Sequence, residues 1–305
     1  MTSAHPVIVV NDPLRLDYSK LFHGVVDDIK ASKDQLHSID VFIQSQIKDS
    51  QALNLLLSTI YSKIRSILSD FGFDYTFQID VFFNSTKFEK LRENWKVLYH
   101  LENEAINNSI PELIKVVTIP EASVLSKLHV PEKIKDSGRT FKCFDVTAVG
   151  GTFDHLHDAH KLLLSMSAFL TSKTLIVGIT GPKLLTNKKF SEALESYEKR
   201  QEVVINFIQK HISSEVKFEI FQINDVCGPT GYIEEIDALI LSYESSKGGA
   251  FVNKVRKEKG FPLLDTVSIK VIGSDYGNEE NNWKGKLSST DIREIEVEKL
   301  QNLQK

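Results

Sequence analysis

Between Phe144 and Gln301, β-branched runs alternate with amphipathic helices, and this alternation leaves few folds open. The runs "FDVTAVGG", "KTLIVGIT", "VKFEIFQI", "DALILS" and "VSIKVIG" each have the length and composition of a strand. Between them lie "AHKLLLSMSAFLTS", a long helix "SEALESYEKRQEVVINFIQKH" opened by Ser191, and a short basic helix "GGAFVNKVRKEKG" closed by Gly260. A final helix, "SSTDIREIEVEKLQ", carries Ser or Thr at its N-cap. Five strands separated by helices predict a parallel, doubly wound α/β sheet. Ligands in such sheets lie beyond the carboxyl ends of the strands. That rule selects residues 150–160, 180–189, 242–249 and 273–293 as one rim.

The first half reads as a smaller α/β domain over residues 1–126. "PVIVV" is a buried strand broken by "NDP", and "LDYSKLFHGVVDDIKAS" is an amphipathic helix. Leu53, Leu56, Leu57, Ile60, Ile64, Ile67, Leu68 and Phe71 recur at steps of three and four, with Gly72 closing the helix. "YTFQIDVFF" alternates as a strand does, and residues 87–102 are read as helical. No chemical motif stands out here. The polar stretch over 127–141 is read as a linker and 142–305 as the second domain; 305 residues suit two domains.

Composition narrows the function classes. A net charge of -4 gives no electrostatic reason for general nucleic-acid binding, so any anionic substrate needs a local basic cluster. There is no basic leader and no run of 18 apolar residues, so neither a signal peptide nor a membrane span is expected. Two cysteines, Cys143 and Cys227, are too few for a disulfide framework. A reducing compartment follows, expected to be the cytoplasm, with a nuclear location also compatible.

On the rim, "VTAVGGTFDHLHDAHKLLL" places His155, His157 and His160 behind a Gly-Gly-Thr turn. Gly150 and Gly151 let the backbone approach a ligand, and the helix starting near Asp158 offers N–H groups to an anion. His157 and His160 straddle that helix start, where both can face one phosphate. Zinc is the rival ligand, but the i, i+4 spacing of zinc-binding helices is not matched. Ordinary capping or surface histidines are the third reading. In "GKLSSTDIRE", Ser288, Ser289, Thr290 and Arg293 converge at another helix start, either as a second anion site or as a plain N-cap. "GPKLLTNKKF" sets three lysines after a strand end, as mobile cations or as a surface loop. Neither G-x-x-x-x-G-K-[ST] nor G-x-G-x-x-G occurs in the chain.

Taken together, "GGTFDHLHDAH" resembles the T-x-F-D-x-x-H-x-G-H signature of the nucleotidyltransferase superfamily, and "KLSSTDIR" resembles its I-S-S-T-x-x-R partner. Roughly 130 residues separate His160 from Ser289, as that family requires. "GPKLLTNKKFSEALESYEKR", "CGPT", "LILSYES" and "GGAFVNKVR" are similar to the eukaryotic phosphopantetheine adenylyltransferases, most of all the fungal, single-activity form. The resemblance covers residues 142 to 300. It implies a Rossmann-like fold of nucleotidyltransferase type and transfer of AMP from ATP to 4′-phosphopantetheine, with Mg2+ carried by ATP. It implies no dephospho-coenzyme A kinase activity, which needs a P-loop. Another adenylyl- or cytidylyltransferase of the superfamily, or a non-catalytic nucleotide-fold scaffold, is the alternative.

The resemblance also distributes roles. Gly151, Thr152 and Phe153 would bind ATP, and Thr152 with the Phe153 backbone would also position the attacking acceptor phosphate. His157 and His160 would bind the triphosphate, His160 at the α-phosphate. Lys188 would bridge attacking and α-phosphates. Ser288, Ser289 and Thr290 would hold the β,γ-phosphates with Arg293 behind them, while Asn253 and Arg256 would contact substrate. Asp154 would brace the turn rather than bind metal, and no protein metal site is expected. Ala159 stands where the family keeps glycine. The first half is read as a surface for other coenzyme A enzymes.

Overall fold

The computed structural model describes residues 5–32, 36–85, 88–106, 114–120, 143–270 and 288–303. The chain divides into two compact units, Met1–Phe141 and Lys142–Lys305. The 127–141 stretch read as a linker lies outside the described residues, as do 271–287.

The first unit holds a parallel sheet of β1 (His5–Val10), β2 (Ser38–Ile43), β3 (Gln78–Phe82), β4 (Trp95–Leu101) and β5 (Lys115–Ile119), in the order β3-β2-β1-β4-β5. Helices α1 (Ser19–Ala31) and α2 (Ser50–Asp70) follow β1 and β2. The period-3.6 face of α2 is buried as its spacing predicts, from Leu53 to Leu68. Asp49 caps its start through the Ala52 N–H. Gly72, at φ +80°, closes its end in a Schellman pattern, with Phe73 N–H on Leu68 O and Gly72 N–H on Ser69 O.

Residues 87–102 are not the helix expected. A short helix α3 (Phe88–Leu91) and one 3-10 turn lead into β4. Strand β4 pairs with β1, and Trp95, Leu98 and Leu101 are buried there, so sheet packing overrides a locally ambiguous pattern. The Trp95 indole N–H donates to the buried Asp40 carboxylate at 2.7 Å. That bond fixes the strand's entry against β2.

The second unit matches its predicted elements closely. Its strands are β6 (Phe144–Gly151), β7 (Thr171–Thr180), β8 (Lys217–Ile223), β9 (Ala238–Ser242) and β10 (Asp265–Ile269). Its helices are α4 (Asp158–Phe169), α5 (Tyr197–His211), α6 (Ser246–Glu258) and α7 (Ser289–Leu303). The sheet is parallel, in the order β10-β9-β6-β7-β8. Numbered within its unit, each sheet runs third, second, first, fourth, fifth, so both units share one doubly wound topology. The reversal point lies between β6 and β9 in the second unit and between β1 and β4 in the first, where such sheets bind ligands. One boundary differs from expectation. Ser191 opens only a 3-10 turn, and α5 begins at Tyr197 with Ser196 as its cap. The residues between are drawn into the site, as described next.

Candidate active site

Strand β6 delivers its carboxyl end to a tight turn, and the turn is held by its carbonyls. Thr180 Oγ1 donates to Gly151 O at 3.0 Å, and Arg200 Nη1 donates to Thr152 O at 2.7 Å. A trans peptide sets N–H opposite C=O, so the N–H groups of Thr152 and Phe153 are aimed away from those two clamps. Gly151 has a steric reason to be glycine, because a Cβ there would sit 3.1 Å from the Phe153 ring. Phe153 and His155 adopt left-handed φ values of 51° and 45°, unusual outside glycine. Strained backbone of this kind persists only where the surroundings hold it.

Those surroundings centre on Asp154, whose side chain is fully buried. It pairs with Arg293 Nη1 at 2.6 Å and accepts the Glu195 N–H at 2.9 Å. Arg293 also donates to Lys189 O and to Thr290 Oγ1. One buried guanidinium therefore ties the turn after β6, the lysine loop and the start of α7. The sequence reading offered Arg293 both as part of the nucleotide site and as the support behind its hydroxyls; the structure makes it the support, its three nitrogens each hydrogen-bonded to protein. Asp154 braces the turn, as expected.

The two histidines are brought together. Their rings stack, with centroids 3.9 Å apart, at the N-terminus of α4, where His157 is the N-cap residue. Phe153 flanks His160 at 5.4 Å. Ser289 Oγ donates to Asp154 O at 2.9 Å and lies 3.3 Å from His157 Nε2. The two signatures thus meet across 132 residues. Two helix N-termini, α4 and α7, and a pair of imidazoles then face one region, an arrangement suited to a polyanion. His155 does not join them: its N–H goes to Glu195 and its Nε2 contacts Ala193 O. These bonds explain why 191–195 stays out of α5. Among the described residues no group of three or more His, Cys, Asp or Glu could hold a metal ion.

The hydroxyls of "SST" divide their work. Ser288 forms a capping box with Asp291, through its N–H and Oγ at 2.8 Å each. Thr290 accepts from Arg293, and Ser289 alone among the three bonds toward the histidines. Lys188 is exposed, one residue before the carbonyl that Arg293 holds. Ala159 is only 6% exposed, so the methyl that replaces the family's glycine offers little surface to any ligand.

Arg256 and Asn253 correct the sequence reading. Arg256 is 0% exposed, and its guanidinium donates to the carbonyls of Pro262, Thr230, Ile233, Glu234 and Ile236. Five N–H groups serve five carbonyls, so it staples α6 to the "CGPT" segment and has no N–H left to offer a substrate. Burial pulls its pKa below the usual arginine value. Asn253 closes a reciprocal pair of bonds with Leu264 N–H and O.

Arg200 is the residue that sequence reasoning passed over. It is 1% exposed, and beyond Thr152 O it donates to Thr180 O and Glu195 O. Its pKa is lowered by burial, against the opposing pull of Asp154 and Glu195. The signal was available. Arg200, Val204, Phe207 and Ile208 form one buried i, i+4, i+7, i+8 stripe of α5. An arginine in an apolar stripe has to find acceptors inside.

Known proteins are similar to this chain in sequence. The Cytidylyltransferase-like family matches residues 148–295. A phosphopantetheine adenylyltransferase of Saccharomyces cerevisiae is 37% identical over 264 residues, covering 84% of this chain and 82% of that protein. That span exceeds either unit, so the likeness includes residues of both. Proteins of the same name from Pyrococcus abyssi and Thermococcus kodakarensis are 35% and 34% identical over 150 and 152 residues. These alignments take in 49% and 50% of this chain but 89% and 86% of the archaeal proteins. With likeness of that extent joined to the meeting of the two signatures, the chain belongs to the phosphopantetheine adenylyltransferase family of nucleotidyltransferases.

Proposed function

We propose that the chain transfers AMP from ATP to 4′-phosphopantetheine, giving dephospho-coenzyme A and pyrophosphate. The observation that carries this is the 3.3 Å approach of His157 Nε2 and Ser289 Oγ, which joins two histidines and two helix starts around one anion-binding region. The names of the yeast and archaeal relatives support the choice of acceptor.

In the proposed reaction an acceptor phosphate oxygen attacks the α-phosphorus in line. The new O–P bond forms as the bond to the pyrophosphate oxygen breaks. The nucleophile is already anionic near neutral pH, so no strong general base is required. Catalysis reduces to aligning two polyanions and offsetting their repulsion. Thr152 and the Phe153 N–H position the acceptor phosphate. His157 binds the triphosphate, and His160 donates to the α-phosphate as its charge is redistributed. Lys188, on an unencumbered side chain, bridges the attacking and α-phosphates. Ser289, Thr290 and the first N–H groups of α7 hold the β,γ-phosphates, with Ser288 and Arg293 fixing that turn. Mg2+ would accompany ATP and offset its negative charge, carried by the nucleotide rather than by a protein cage; Asp154 is committed to Arg293.

The test is pyrophosphate release from ATP by the purified chain with 4′-phosphopantetheine, set against nicotinamide mononucleotide and, with CTP, phosphocholine. Release confined to 4′-phosphopantetheine is expected. Equal turnover of another acceptor would move the chain to a different member of the superfamily. ATP binding with no release from any acceptor would make it a scaffold.

Three further statements belong to the proposal. Dephospho-coenzyme A is not phosphorylated, because no P-loop occurs in the chain; ADP formation in that assay would contradict this. The first unit associates with other coenzyme A enzymes, which should co-purify with the tagged full chain. The protein works in the cytoplasm, without nucleic acid or membrane; among the described residues no helix is long and apolar enough to cross a bilayer.

A further inference from the structure

We infer that Arg200 is a positioning residue for the acceptor phosphate: it holds the Thr152–Phe153 peptide so that the Phe153 N–H faces the acceptor. This rests on the reading of Thr152 and Phe153 given above. The geometry is specific. Arg200 Nη1 bonds Thr152 O at 2.7 Å and Thr180 O at 2.9 Å, while Nε bonds Glu195 O at 3.2 Å. The ends of β6 and β7 and the entry to α5 are thereby tied at one group.

The backbone shows what the tie prevents. Phe153 sits at φ +51°, in the left-handed region. Turning the Thr152–Phe153 peptide over by half a turn would carry Phe153 to an ordinary extended φ. That flip would also replace an N–H by a carbonyl and present the wrong end of the dipole to an anion. The observed orientation is therefore the sterically poorer one, and the Arg200 hydrogen bond to Thr152 O opposes the flip. Thr180 Oγ1 does the same for the preceding peptide through Gly151 O. Lysine cannot replace this group, because one ammonium lacks the planar fork that reaches Thr152, Thr180 and Glu195 together.

The experiment compares R200K with wild type in the full chain. It reads melting temperature, kcat and KM for 4′-phosphopantetheine, and the calorimetric Kd of ATP. A positioning role predicts a folded R200K whose kcat/KM for the acceptor falls about 10- to 100-fold, as a misplaced reactant does. ATP affinity should stay within about twofold, because none of the arginine's three hydrogen bonds described above goes to the histidines or to α7. Thr180→Val, which removes one hydroxyl, should show a smaller loss on the acceptor side alone. An R200K protein within twofold of wild type in acceptor kcat/KM overturns the inference, and so does an equal loss for ATP and acceptor. Should R200K not fold, T180V decides by the same criteria. Failure of the substrate reading shows instead in wild type, as absent turnover of 4′-phosphopantetheine. The R200K ratio is then taken with whichever phosphorylated acceptor wild type uses.

Discussion

The two units share a strand order and treat their first β-to-α turn in opposite ways. In the second unit the carbonyls of Gly151 and Thr152 are held by Thr180 and Arg200, which turns the N–H groups away from those clamps. In the first unit the N–H groups are the ones held. Those of Asn11 and Asp12 both donate to Tyr18 Oη, at 3.1 and 3.0 Å, and Tyr18 donates onward to Glu104. The Asn11 side chain crosses to Ala105 O, closing the reversal point between β1 and β4. A doubly wound sheet supplies a crevice, and the direction of two peptides decides whether an anion finds donors in it. "NDP" and "GGT" are the local sequences behind the two outcomes.

The largest test of this contrast is Asp154→Ala. It strands the Arg293 charge in the interior, which costs about 3–5 kcal/mol. The second unit's urea transition should shift by that amount while the first unit's stays; a common shift would show the two units do not melt separately. Next is His160→Ala, expected to lower kcat about 10²–10³-fold with little change in stability. Near-normal turnover would remove this residue from the chemistry. Tyr18→Phe should cost the first unit about 1–3 kcal/mol, because two N–H groups lose their acceptor, and should leave pyrophosphate release unchanged. A drop in turnover would tie the first crevice to the reaction.

The smallest effect is a pH slope. Burial raises the Glu104 carboxyl above 4.5, so the native state holds its proton more tightly than the unfolded chain does. This contribution is complete below 4.5 and fades as pH rises through the raised native value. Glu104→Gln should flatten the dependence of the first unit's urea midpoint above that pH.

Much of this was legible in the residues. Four strands of the second unit lie where their β-branched runs put them; β10 begins at Asp265, two residues before its run, whose last three residues lie outside the described ones. The two signatures identified the family before their contact was visible. What sequence reading lost were long-range commitments of single groups. Segment 87–102 carries Trp95, Val97, Leu98 and Leu101 in a spacing that serves either period, and only pairing with β1 settles it. Arg256 read as a substrate contact because it sits on a basic helix, among Lys254, Lys257 and Lys259. Yet Gly249, Val252 and Arg256 share the buried face of α6. Arg200 hid in the same manner. In both helices the charge lay in the apolar register, and periodicity alone does not say which carbonyls await it. The roles proposed for Lys188 and the phosphate-binding hydroxyls rest on resemblance.

The Arg293–Asp154 pair also sets a timetable. Its members lie 139 positions apart, and α7 is the last helix among the described residues of its unit. At about 5–20 residues per second, on the order of ten seconds of synthesis separates them. Throughout that interval the nascent chain carries a carboxylate destined for burial without the arginine that will pair with it. The phosphate site is consequently completed only once α7 has been made, and a chain stalled before Ser289 would hold its histidines without the helix that completes them.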